Sequence, residues 1–101
     1  MLIPKKIKVG PKWYDVEMLD TMPKKGTMGR AHFASQLIQI GLRSNRTGRT
    51  FKPAEISDTF WHELTHAILQ DMEHPLCRNE RFVSGFSERL NRAVNSARLQ
   101  T

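Results

Sequence analysis

Apolar positions alternate with polar ones between residues 3 and 42, and from residue 53 onward they recur every three or four positions. The first period is that of strands buried on one face, the second that of helices buried along one side. Ile7 and Val9 share one face of a short strand, Gly10-Pro11 makes a turn, and Tyr14, Val16 and Met18 share one face of the next strand. Residues 21–29, with Pro23, Lys24, Lys25 and two glycines, predict a loop. Residues 29–33 and 36–42 predict two further strands, the second with Ile38, Ile40 and Leu42 on one side, and residues 43–52 a second polar loop.

Pro53 suits a first helical turn, where its missing N–H is no loss, and Glu55 and Asp58 sit where the helix dipole favours anions. Ile56, Phe60, Leu64, Ala67 and Ile68 then fall on one side of a helix running to about Met72, which Pro75 stops. A second helix is expected from about Asn79. Phe82, Val83, Phe86, Leu90, Ala93, Val94 and Ala97 form its apolar stripe, which is expected to be core. The order of elements predicts a single α+β domain over residues 1–101, with a small, mostly antiparallel sheet of about four strands and both helices on one face.

Composition narrows the class. A chain of 101 residues with 39% hydrophobic and 26% charged residues can build one modest core and is too apolar for a disordered tail. No apolar run approaches the roughly 20 residues of a membrane-spanning helix, and residues 1–10 lack the apolar stretch of a signal peptide. Cys77 stands alone and cannot close an intrachain disulfide, so a cytoplasmic location is the default expectation. Charge is uneven: residues 1–52 hold eleven basic side chains against three acidic, a net of +8, and residues 53–101 hold five against seven, a net of -2. A face built from Lys5, Lys6, Lys8, Lys24, Lys25, Arg43, Arg46, Arg49 and Lys52 could meet nucleic acid or an acidic partner, although no recognised nucleic-acid motif accompanies it.

The chemistry lies in the first helix, where His62-Glu63-Leu64-Thr65-His66 spells HExxH. At about 100° per residue the two histidines lie about 40° apart and one turn, about 5.4 Å, along the axis, so both imidazoles can reach one ion. Glu63 lies about 60° to one side of His66, where a carboxylate can take a proton from a metal-held water without becoming a ligand. The histidines point away from the stripe that starts at Ile56, and two imidazoles, a glutamate and a threonine in a largely buried helix all need partners. A catalytic zinc takes a third protein ligand, and four residues are candidates. Glu73 lies about 10 Å further along a straight helix, too far to share the ion, and Glu88 is expected to face solvent. His74 could fold back, but a short connection that returns the second helix antiparallel brings Glu80 beside the histidines, and geometry favours it.

HELTH followed by Asn79-Glu80-Arg81-Phe82-Val83 resembles the HExxH and downstream NE-type helix of gluzincin zinc metallopeptidases. The compact order of strands, HExxH helix and closing amphipathic helix is similar to the small metallopeptidases common in phages and prophages, related in pattern to the repressor-cleaving peptidases of mobile elements. The resemblance implies Zn2+ held by His62, His66 and Glu80, Glu63 as general base, and hydrolysis of a protein or peptide substrate. The chain has no counterpart of the second lobe that stabilises the oxyanion in larger gluzincins, and Tyr14, His32 or His74 is left to substitute. An exposed edge on the 36–42 strand is a possible seat for an extended peptide. The competing expectation is a non-catalytic protein, stabilised by zinc, that contacts a host protein or nucleic acid through its basic N-terminal half.

Overall fold

The computed structural model describes residues 3–100 and contains four strands and two helices in the expected order. Strand β1 (Lys6–Val9) turns through Gly10-Pro11 into β2 (Lys12–Leu19), followed by β3 (Gly29–His32), β4 (Leu37–Gly41), α1 (Pro53–Asp71) and α2 (Glu80–Ser96). Gly10 takes φ +56°, the left-handed value that a two-residue hairpin needs at its first central position.

The strands are ordered β1-β2-β4-β3. Two pairings, β1 with β2 and β3 with β4, are antiparallel, but β4 runs parallel to β2, so the sheet is mixed. Strand β4 is therefore central and bonded on both sides. The peptide edge expected on residues 36–42 does not exist, and the free edge on that side of the sheet belongs to β3. The physical reason is the length of the 21–28 segment, which lets the β3–β4 hairpin swing round so that apolar β4 pairs along both of its edges.

Alternation along the strands sends Val9, Tyr14, Ile38 and Ile40 to one face, where they pack with Phe60, Leu64 and Ala67 of α1. Only α1 lies against the sheet. Helix α2 packs on α1 and does not reach the strands, giving three layers rather than two helices side by side. A smaller apolar cluster of Leu69, Cys77 and Val83, with Phe33 against it, closes the corner between the helices.

The expected core stripe of α2 is largely outside. Val83 is fully buried, but Phe82 is 36% exposed, Phe86 49% and Val94 42%, while Ser87 and Asn91 are buried in their place. Ile68 on α1, placed in the core by its spacing, is 41% exposed. In the first turn of helix α1 the Glu55 carboxylate accepts the fork of Arg49 and the Lys52 main-chain N–H, which together hold it down at about 2. It ends before Pro75 is reached: Glu73 adopts φ +53° and the His74 N–H bonds back to the Leu69 carbonyl, the six-to-one bond of a Schellman end. Helix α2 is capped by Asn79, whose side chain accepts the Phe82 N–H.

Candidate metal centre

His62, His66 and Glu80 come together where the start of α2 passes the middle of α1. One ligand atom from each lies within 4.8 Å of the others. Nε2 of His62 is 3.0 Å from one Glu80 carboxylate oxygen and Nε2 of His66 is 2.9 Å from the other. The two rings are 4.9 Å apart at 68°, so their nitrogens converge rather than stack. These are the residues that the spacing of HExxH and an antiparallel return predict. His74 is used elsewhere: its Nδ1 accepts the Leu76 N–H. Glu73 and Glu88 are exposed and outside the group.

The donor chemistry fits a cation. His66 Nδ1 lies 2.6 Å from the Cys77 carbonyl oxygen, which can only accept, so Nδ1 carries the ring proton. Nε2 is then the ring atom left to face the Glu80 carboxylate, where it can offer a lone pair to a cation held between them. Tetrahedral zinc with bonds of about 2.0–2.1 Å sets its ligand atoms about 3.3–3.4 Å apart, a few tenths beyond the contacts seen here. Two imidazole nitrogens and one carboxylate, with the Glu80 side open to solvent, therefore suit a divalent ion of the zinc type.

Supporting groups surround this triad. The Cys77 carbonyl fixes the tautomer and orientation of His66, and the Cys77 thiol donates back to the His66 carbonyl, so the one cysteine is a buried brace and not a ligand. Asp58, one turn before His62, lines the same cleft. It accepts from the Asn91 side chain, whose oxygen in turn accepts from Ser57 and Asn95, a chain that ties the α1–α2 interface beside the ligands. Burial, with Glu88 nearby, raises the Asp58 carboxyl above its ordinary range.

Glu63 is buried and does not join the triad. Desolvation pushes its carboxyl up, and the Glu80 charge adds to this. The two histidines and the Ala31 N–H directed at it pull the other way, and burial wins. A raised carboxyl thus stands beside the three residues that could hold a metal ion.

The cleft in front of these groups is walled by β3 and the loop before it on one side and by α1 and the start of α2 on the other. Of the three residues suggested for oxyanion stabilisation, only His32 lines it, with Nε2 held 2.7 Å from Gln39 Oε1. Tyr14 is buried in the core, where desolvation and then Asp71 raise its hydroxyl. Arg78 also lines the cleft. Sequence reasoning passed over it because one arginine in a connection carries no spacing signal. The contributions of the Cys77 carbonyl and the Ala31 amide were equally invisible, since every residue has both groups.

Compared with models of known protein families, with curated proteins and with solved structures, the chain matches none. Among the described residues no helix is long and apolar enough to cross a membrane.

Proposed function

We propose that the chain is a zinc-dependent peptidase of minimal gluzincin-like design, with His62, His66 and Glu80 holding the ion and Glu63 serving as general base. The observation that carries this reading is the convergence of two imidazoles and a carboxylate on one point, with a separate, buried carboxylate next to them. When bound, the ion would polarise a peptide carbonyl and bring the pKa of a water it holds toward about 7. Glu63 then accepts the proton of the attacking water at its carboxylate and delivers it to the departing amine nitrogen. The edge of β3, on the cleft wall, has main-chain groups besides the Ala31 N–H that an extended segment of a protein or peptide could pair with, and a scissile carbonyl would then lie near the triad. His32 and Arg78 are two of the side chains lining the cleft that could donate to a developing oxyanion.

The competing reading, a zinc-stabilised binding protein that contacts a host protein or nucleic acid through its basic N-terminal half, loses part of its free charge to partners within the chain. Arg43 forks onto Asp20, Arg49 onto Glu55, Lys6 pairs with Asp15, and Lys8 lies over the Trp13 ring.

Glu63→Gln separates the two. The variant is expected to keep one zinc per chain by elemental analysis and to lose at least about 100-fold in kcat/KM on an unfolded protein or a fluorogenic peptide mixture. Undiminished hydrolysis or undiminished function in cells would remove the peptidase reading.

A further inference from the structure

The base Glu63 sits on α1, but what touches its carboxylate from the other side of the cleft is main chain of β3. The Gly41 N–H donates to the Met28 carbonyl at 2.8 Å, which makes Met28 and Gly41 a hydrogen-bonded pair. By antiparallel alternation Gly29 opposite Ile40, and Ala31 opposite Ile38, are then the non-bonded pairs, so their N–H and C=O groups point out of the sheet edge. One of these outward donors, the Ala31 N–H, is directed at Glu63.

Gly29 controls how closely the helix can approach that donor. A Cβ at Gly29 would lie 2.6 Å from Thr59 Cγ2, 2.9 Å from the Gln39 carbonyl oxygen and 3.2 Å from Glu63 Cγ. The first two are closer than side-chain atoms pack, and one of them is main chain that cannot step aside. The φ of Gly29 is not left-handed, so glycine is needed here for space and not for conformation.

We propose that Gly29 and the Ala31 amide form a seat for Glu63: the missing side chain sets the β3-to-α1 distance, and at that distance the amide holds the carboxylate. Gly29 is thus a positioning residue, and the inference rests on the reading of Glu63 as general base. It makes a separable prediction because every metal ligand lies on α1 or α2, which pack on each other. Widening the gap to β3 moves the ligands together and leaves their mutual geometry intact, while Glu63 loses its partner on the strand.

The test uses Gly29→Ala, Glu63→Ala and the double variant Gly29→Ala/Thr59→Ser. Serine removes the Cγ2 that clashes and keeps the hydroxyl that bonds the Glu55 carbonyl at 3.0 Å. Amide hydrogen exchange followed by NMR is expected to show Ala31 protected in the parent and faster by about tenfold in both Glu63→Ala and Gly29→Ala, with the double variant recovering only the part of the loss that the Thr59 clash causes, since the Gln39 carbonyl contact stays. Gly29→Ala should bind one zinc as tightly as the parent and lose about tenfold in kcat with little change in KM, again partly restored by Thr59→Ser. Exchange at Ala31 that ignores Glu63→Ala overturns the proposal, and so does a Gly29→Ala variant with parental exchange and kcat, or one that loses zinc. The exchange measurement needs no substrate. If Glu63→Gln shows that no hydrolysis depends on Glu63, the peptidase reading fails while the seat is still judged by its own data.

Discussion

Phe60 on α1 and Phe86 on α2 hold comparable places in two amphipathic patterns, yet the first is fully buried and the second is 49% exposed. The difference follows from what each helix must place. Helix α1 lies between the sheet and α2, so most of its apolar stripe is covered by the strands while its histidine side meets α2 and the cleft, and no choice between them is forced. Helix α2 touches only α1, and it must present Glu80 to the histidines. Positions seven and eleven residues on, Ser87 and Asn91, return to nearly the same side of the helix as Glu80, whereas Phe86 lies about 120° round. Turning Glu80 inward therefore buries Ser87 and Asn91 and leaves Phe82 and Phe86 at the surface. Asn91 makes this tolerable by bonding Ser57, Asn95 and Asp58. The aromatic pair outside stacks on itself, with ring centroids 5.9 Å apart. Helix α2 is oriented by its polar residues against the pull of its apolar ones, which is what a helix carrying a ligand would show.

The sharpest way to break this comparison is to truncate both phenylalanines. Phe60→Ala should cost about 3–5 kcal/mol in urea unfolding, and Phe86→Ala less than about 1 kcal/mol. Equal costs would mean that the face of α2 is covered in solution. Next in size is the joint between the helices. Glu80→Ala should weaken zinc binding by about 100-fold or more, measured by competition with a chelator, and His74→Ala should leave it unchanged. Equal loss in both would move the third ligand to the connection.

A smaller effect concerns the buried acid of α1. Because the folded state raises the Glu63 carboxyl, the folded chain binds that proton more tightly than the unfolded chain, and stability falls as pH rises through the ordinary carboxylate range to the raised value. In metal-free protein Glu63→Gln should therefore melt higher than the parent at pH 7, with the difference closing as pH falls to about 4. A gap that widens toward acid would reverse the assignment of burial as the dominant cause. The least effect is at the end of α1, where Glu73 holds a left-handed conformation that glycine takes at no cost. Glu73→Gly should stabilise by about 0.5–1 kcal/mol in the same unfolding assay, and a loss would show that the Glu73 side chain has a role of its own.

Much of this was legible beforehand, and the boundary is physical. The alternation at Tyr14, Val16, Ile38 and Ile40 and the spacing of Phe60, Leu64 and Ala67 gave the elements because one buried side imposes a period on the chain. His62 and His66 were legible as a pair for the same reason, and Glu80 because a short connection leaves few places for the next helix to go. The edge expected on β4 failed because strand order is decided by pairing between segments distant in sequence. The core expected along Phe82 and Phe86 failed because periodicity states which residues are apolar and is silent on which force sets the roll.

The amino-acid order alone determined the four strands, the two helices, the turn at Gly10-Pro11 and the HExxH pair, since each depends on neighbours within a turn or a pleat. Folding in three dimensions decided that β4 lies inside the sheet, that α2 turns its serine and asparagine inward, and that the Cys77 carbonyl and Ala31 amide meet His66 and Glu63. Main-chain groups are the same at every position, and long-range contacts are chosen by competition among burial, hydrogen bonding and charge, so only the assembled molecule fixes them.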